Sequence, residues 1–203
     1  MSIRTSWGRW VTESSGAVRV SRWVCRIAAL GVTITAAVII ANLVRGRAVS
    51  GAAVFLVPGL PAVLMGQVWA MAILSARRSP HQDGTGRRGR RTRERDPRRL
   101  FFAGLRRWQA TAILVLFFLG WLSGMTAFPS LRLGNPASPA PGCPYRLVSH
   151  GASICVSHST YLAAGAGGQR LAAGILGAFF AMQLGVTAAE LARRRTGRAT
   201  RDE

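Results

Sequence analysis

Four stretches of the chain carry almost no charge, and charge is dense between them. The first runs from Trp23 to Val44, with an uncharged core from Ile27 onward. The second runs from Gly51 to Ala76, the third from Ala110 to Phe128 and the fourth from Leu171 to Ala189. Each is close to the roughly 20 apolar residues that cross about 30 Å of hydrocarbon as a helix. None alternates apolar and polar residues as a half-buried strand does. A helix also satisfies its own backbone hydrogen bonds, which hydrocarbon demands. The pattern predicts an all-α membrane protein: four transmembrane helices in a left-handed bundle. Residues 1–22, 45–50, 77–109, 129–170 and 190–203 are the segments outside the spans.

Arginine placement orients the helices. Five Arg precede the uncharged core of the first span, twelve lie from Arg77 to Arg107, and five follow the fourth span. The opposite face holds only Arg45, Arg47, Arg132, Arg146 and Arg170. The positive-inside rule then puts both ends in the cytoplasm. Ala48-Val49-Ser50 has the small-residue spacing of a signal-peptide cleavage site. However, the preceding apolar run of 18 residues exceeds an h-region of about 7–15. The first span is therefore read as retained.

Charge changes the picture in one respect. The 203 residues carry a formal net charge of +20, and every basic residue is Arg. Arg without Lys, in an Ala/Gly/Val-heavy chain, suggests a GC-rich bacterial genome and so a bacterial cytoplasmic membrane. A basic chain raises the question of nucleic acid, but the basic loops are accounted for by orientation. No nucleic-acid partner is expected. The basic loop would instead meet anionic lipid headgroups, at about 1 kcal/mol per residue. From Ser79 to Pro97 that loop is polar, Gly- and Arg-rich, and too poor in apolar residues to build a core. From Arg98 to Gln109, Leu100, Phe101, Leu105 and Trp108 interleave with Arg, the pattern of a short interfacial helix.

Within the spans, small residues recur at packing intervals. Gly120 and Gly124 form a GxxxG pair, and Ala173, Gly177, Ala181, Gly185 and Ala189 follow every fourth position. Such stripes let helices approach closely. Pro58-Gly59-Leu60-Pro61 predicts a kink in the second span. Gln67 and Gln183 are the intramembrane amides that most need partners, as helix glue first and a ligand site second.

The loop 129–170 is rich in proline and holds Cys143, His150, Cys155 and His158. Two readings compete there. One is a disulfide between Cys143 and Cys155, on a face where disulfides persist. The other is a metal site built from all four side chains, although their spacing matches no usual zinc pattern. Free thiols are the third possibility.

The remaining inventory excludes several chemistries. The outer loops have no carboxylate to orient a histidine for nucleophilic catalysis. No Walker loop, paired carboxylates or C-x-x-C motif occurs. No carboxylate sits centrally in a span, against a proton-coupled transporter. No catalytic residue and no cofactor is therefore expected. The function expected is that of a non-enzymatic accessory protein, possessing a membrane-protein partner. The alternatives are a transport-related protein for a neutral or anionic solute, and a thiol- or metal-handling protein.

Overall fold

The computed structural model describes residues 15–78, 104–132 and 134–199. Its elements in chain order are α1 (Ser15–Arg45), α2 (Ala52–Arg78), α3 (Arg107–Met125) and α4 (Phe128–Leu131). Strands β1 (Asn135–Ala137), β2 (Arg146–Ser149) and β3 (Ala152–Cys155) follow, then α5 (His158–Ala199). Four of these helices, α1, α2, α3 and α5, are long and apolar enough to cross a membrane. Each coincides with one of the uncharged stretches.

Two helix ends differ from the sequence expectation. Helix α5 starts at His158, well before Leu171. Arg170 ends the apolar stretch but not the helix, since arginine is a good helix former. The true start is marked by Ser157, whose Oγ accepts a hydrogen bond from the Thr160 amide at 3.2 Å, as an N-cap does. The segment 129–170 is therefore partly helical. At the other end of the third span, α3 stops at Met125. A turn follows, and the single-turn α4 carries Pro129 in its first turn, where its missing N–H costs nothing.

The interfacial helix expected over 98–109 is not continuous. Gly104 has φ +96° and Arg106 is extended, so α3 begins afresh at Arg107. The Arg106 amide donates to Gln109 Oε1 at 3.0 Å, which satisfies one donor at the new helix start. Residues 98–103, the polar stretch 79–97 and His81 lie outside the described residues. Helix α2 runs uninterrupted through Pro58 and Pro61.

The helices are not equivalent. In α5, 61% of the most apolar window is buried, against 28% in α1 and 17% in both α2 and α3. Helices α1, α2 and α3 all pack on α5, while α2 and α3 barely meet. The long last helix is thus a hub. Its small residues explain how: Ala173, Gly177, Ala181, Gly185 and Ala189 are all buried. Gly177 faces Thr35 of α1, where a Cβ would meet Oγ1 at 2.9 Å. Ala173 packs with Val38 and Ala52. Gly31 leaves room for the Phe180 ring.

The GxxxG pair of α3 uses a different face of the hub. A Cβ on Gly120 would meet Gly174 O at 3.0 Å and Ala178 N at 3.1 Å. Gly124 sits against Leu171 and Gly174. Gly174 therefore matters as much as the every-fourth stripe, and it lies outside it. Backbone-to-backbone approach of this kind maximises dispersion and weak hydrogen bonds between helices. Replacing Gly120 by Leu should force α3 away from α5 and cost about 1–3 kcal/mol. Thermal unfolding in detergent checks this, with Leu119→Ala as a control because Leu119 is exposed and should shift little.

Candidate functional site: the cap over the helix ends

The segment between α3 and α5 folds into a small cap. Strands β1, β2 and β3 form an antiparallel sheet in sequence order. Ser149 pairs with Ala152, leaving His150-Gly151 as a two-residue loop. Both residues have positive φ, 49° and 83°, the geometry of a type I′ turn. Successive strand residues face opposite sides. Leu147 is completely buried, whereas β3 is exposed along its length.

Three ties hold the cap and the neighbouring α1–α2 loop to the hub. The Tyr145 ring lies 4.6 Å from that of His158 and 5.7 Å from that of Tyr161, centroid to centroid. These two partners sit on the first turn of α5. The second tie is close packing at Gly165, where a Cβ would lie 3.6 Å from both Pro136 and Ala48. The third tie reaches the loop between α1 and α2. The Val49 amide donates to Gln169 Oε1 at 2.8 Å, and Gln169 Nε2 donates to Val49 O at 2.9 Å. One side-chain amide thus satisfies both polar groups of a loop peptide residue, which would otherwise need water.

Cys143 and Cys155 lie at disulfide distance, with S–S 2.11 Å and Cα–Cα 5.6 Å. Cys143 is buried and its backbone exchanges two hydrogen bonds with Ala140, at 2.8 and 3.1 Å. Cys155 sits at the base of the hairpin, paired with Arg146. The four-residue metal alternative does not assemble. Among the described residues no three His, Cys, Asp or Glu side chains converge on a common point. His150 occupies the tip of the hairpin while Cys155 is at its base, roughly 10 Å or more away at about 3.4 Å per strand residue. His158 is stacked on Tyr145.

The two helix amides also separate. Gln183 is 1% exposed and its Nε2 donates to Val63 O of α2. Gly66 makes this possible, since a Cβ there would overlap the Gln183 amide. Thr187 Oγ1 donates to Gln183 O at 2.7 Å. Gln183 is therefore glue between α2 and the hub. Gln67 makes no hydrogen bond to it, and Gln67 Nε2 is buried without a partner. Two polar features were not singled out from sequence. Trp69 Nε1 donates to Ser21 Oγ at 3.1 Å, and Asn42 is 2% exposed with no partner for its amide. Glu190 is buried and paired with Arg194 at 2.8 Å. One helical turn separates these two residues, so the pair costs little ordering.

No protein-family model, no curated protein and no solved structure matches the chain.

Replacing Cys143 and Cys155 together by Ser should loosen the cap by about 3 kcal/mol, the loop-closure figure for about a dozen residues. Limited proteolysis should then cut within 129–157 earlier than in the oxidised wild type, while far-UV circular dichroism stays unchanged. Gln183→Leu should cost about 0.6–2 kcal/mol, read as a lower midpoint in detergent unfolding.

Proposed function

We propose that the chain is a multi-pass protein of the bacterial cytoplasmic membrane, with both ends cytoplasmic, that works as a non-enzymatic accessory protein. The observation that carries this reading is the division of burial. The hub is largely enclosed, yet α2 and α3 leave Val54, Phe55, Leu64, Phe118, Leu119 and Leu122 exposed. A helix in water hides its apolar face against the core, so surfaces this wide call for hydrocarbon. Arginine asymmetry then favours the cap outside, where a Cys143–Cys155 bond would persist.

The cap supplies the interaction surface in this reading. Strand β3 is an edge strand, and Ile154 on it is 47% exposed. Edge strands present unpaired backbone groups to a partner. The anionic headgroups of the inner leaflet would meet the basic segments. A transport-related role is the second reading. It draws on the unpartnered Gln67 Nε2 and the two prolines of the same helix. Engagement of Gln183 by Val63 weighs against a polar path through the bundle.

Topology is tested with a membrane-impermeant maleimide on intact cells. Cys143 and Cys155 should label only after reduction, and Cys25 should stay unlabelled until the membrane is permeabilised. Labelling of Cys25 in intact cells would invert the orientation. For the interaction role, purification in a mild detergent should recover a membrane-protein partner that Ile154→Asp loses. Recovery of the protein alone in several detergents, together with solute flux in proteoliposomes, would favour transport instead.

A further inference from the structure

The buried stripe of α1 ends outward in Gly31, Thr35, Val38 and Asn42. Its partners on α5 are Phe180 for Gly31, Gly177 for Thr35 and Ala173 for Val38. Each step forward along α1 is matched by a similar step back along α5, as antiparallel helices of equal rise require. One more step sets Asn42 level with Gln169 and Arg170. Gln169 is already committed to Val49. Asn42 is 2% exposed, and neither its Nδ2 nor its Oδ1 has a partner. Arg170 Nε is buried and equally unpartnered. These are separate observations on separate helices, and they fall at one level of the interface.

Buried polar groups without partners are rare in stable proteins and call for a specific occupant. The donors here outnumber the acceptors, since Asn42 offers two N–H bonds and Arg170 the N–H of Nε, against one acceptor, Asn42 Oδ1. No Asp or Glu occurs anywhere in residues 45–51 or 129–170. The charge of Arg170 therefore has no carboxylate partner within the cap or its loops. Arginine beside an amide donor is suited to a phosphate oxygen, which guanidinium binds with charge-assisted hydrogen bonds. Asn42 Oδ1 accepts from an accompanying water, or from the P–OH of a free phosphate. The level is also apt: Val44 and Leu171 mark the ends of the two apolar stretches, where the phosphates of a lipid leaflet would lie. Arg146 has a buried unpartnered Nε too, but it lies on β2 beside Leu147, facing the other side of the sheet, and is not part of this site.

We infer that Asn42 and Arg170 bind a phosphate oxyanion between the outer ends of α1 and α5. The phosphate belongs either to a phospholipid headgroup or to a free phosphate. The membrane reading matters only for the lipid source.

The test uses the full chain in maltoside detergent and follows thermal unfolding by tryptophan fluorescence. One arm adds inorganic phosphate against chloride at equal ionic strength. The other adds phosphatidylglycerol against diacylglycerol, which lacks the phosphate. The wild type should gain about 5 °C at saturation in at least one arm. A gain with lipid alone assigns the headgroup, and a gain with inorganic phosphate assigns a free anion. Asn42→Leu keeps the volume and removes the stranded amide, so it should fold at least as stably as the wild type yet lose the gain. Arg170→Gln should lose it as well. Arg132→Gln, at an exposed arginine of the same face, should keep it. No gain in either arm overturns the site. So does an undiminished gain in Asn42→Leu and Arg170→Gln, or an equal loss in Arg132→Gln. Failure here leaves the maleimide result untouched, so the site and the topology stand or fall separately.

Discussion

Close approach of helix backbones along α5 is the interaction on which the other elements depend. A Cβ on Gly120 of α3 would press on the Gly174 carbonyl, tighter than ordinary contact, and Gly177 admits Thr35 of α1. In the hydrocarbon setting proposed above, apolar helices gain no hydrophobic driving force from one another, so packing contacts and interhelical hydrogen bonds must hold them. Small residues of α5 admit α1 and α3, while at the α2 seam the glycines lie on α2 itself, Gly59 against Leu176 and Gly66 against Gln183. A Leu-rich α5 could not serve as the centre, because its side chains would hold every neighbour at arm's length. The large side chains are placed accordingly: Phe180 fills the space that Gly31 leaves open.

Polar groups then refine what packing allows. Gln183 reaches across to Val63 only because Gly66 has no side chain. Gln169 does the same for the loop residue Val49 at the far end. The cap follows the same logic, since Tyr145 lies against the rings at the start of α5. Hub, bundle and cap therefore share one element, and the order of the cap and of the α1–α2 loop is inherited from the helix beneath them.

The four helices were legible in the sequence because absence of charge over some twenty residues is a strong and local signal. The small-residue stripe was legible as well, since its spacing repeats the helix turn. What escaped was anything set by a neighbour. Gly174 breaks the every-fourth register, and only the position of α3 shows that it is the residue Gly120 meets. The start of α5 was masked by Arg170, although Ser157 and Thr160 carry a capping pattern that could have revealed it. The short strands lie in a proline-rich loop, where periodicity is too brief to register. Cys143 and Cys155 could be paired by compartment, but His150 could be separated from them only once the hairpin put tip and base apart, and His158 only once its ring lay against Tyr145.

The order of the elements along the chain bears on biosynthesis. Helices α1, α2 and α3 leave the ribosome first, and α2 and α3 make almost no contact with each other. Their common partner is the last long helix to emerge. Until α5 enters, the earlier helices have no centre to gather on, and Gly31, Gly66 and Gly120 face an empty seam. Assembly is thus deferred to the end of translation rather than built up helix by helix. A nascent chain arrested before α5 would hold three loosely associated helices, exposed to quality control for as long as the pause lasts.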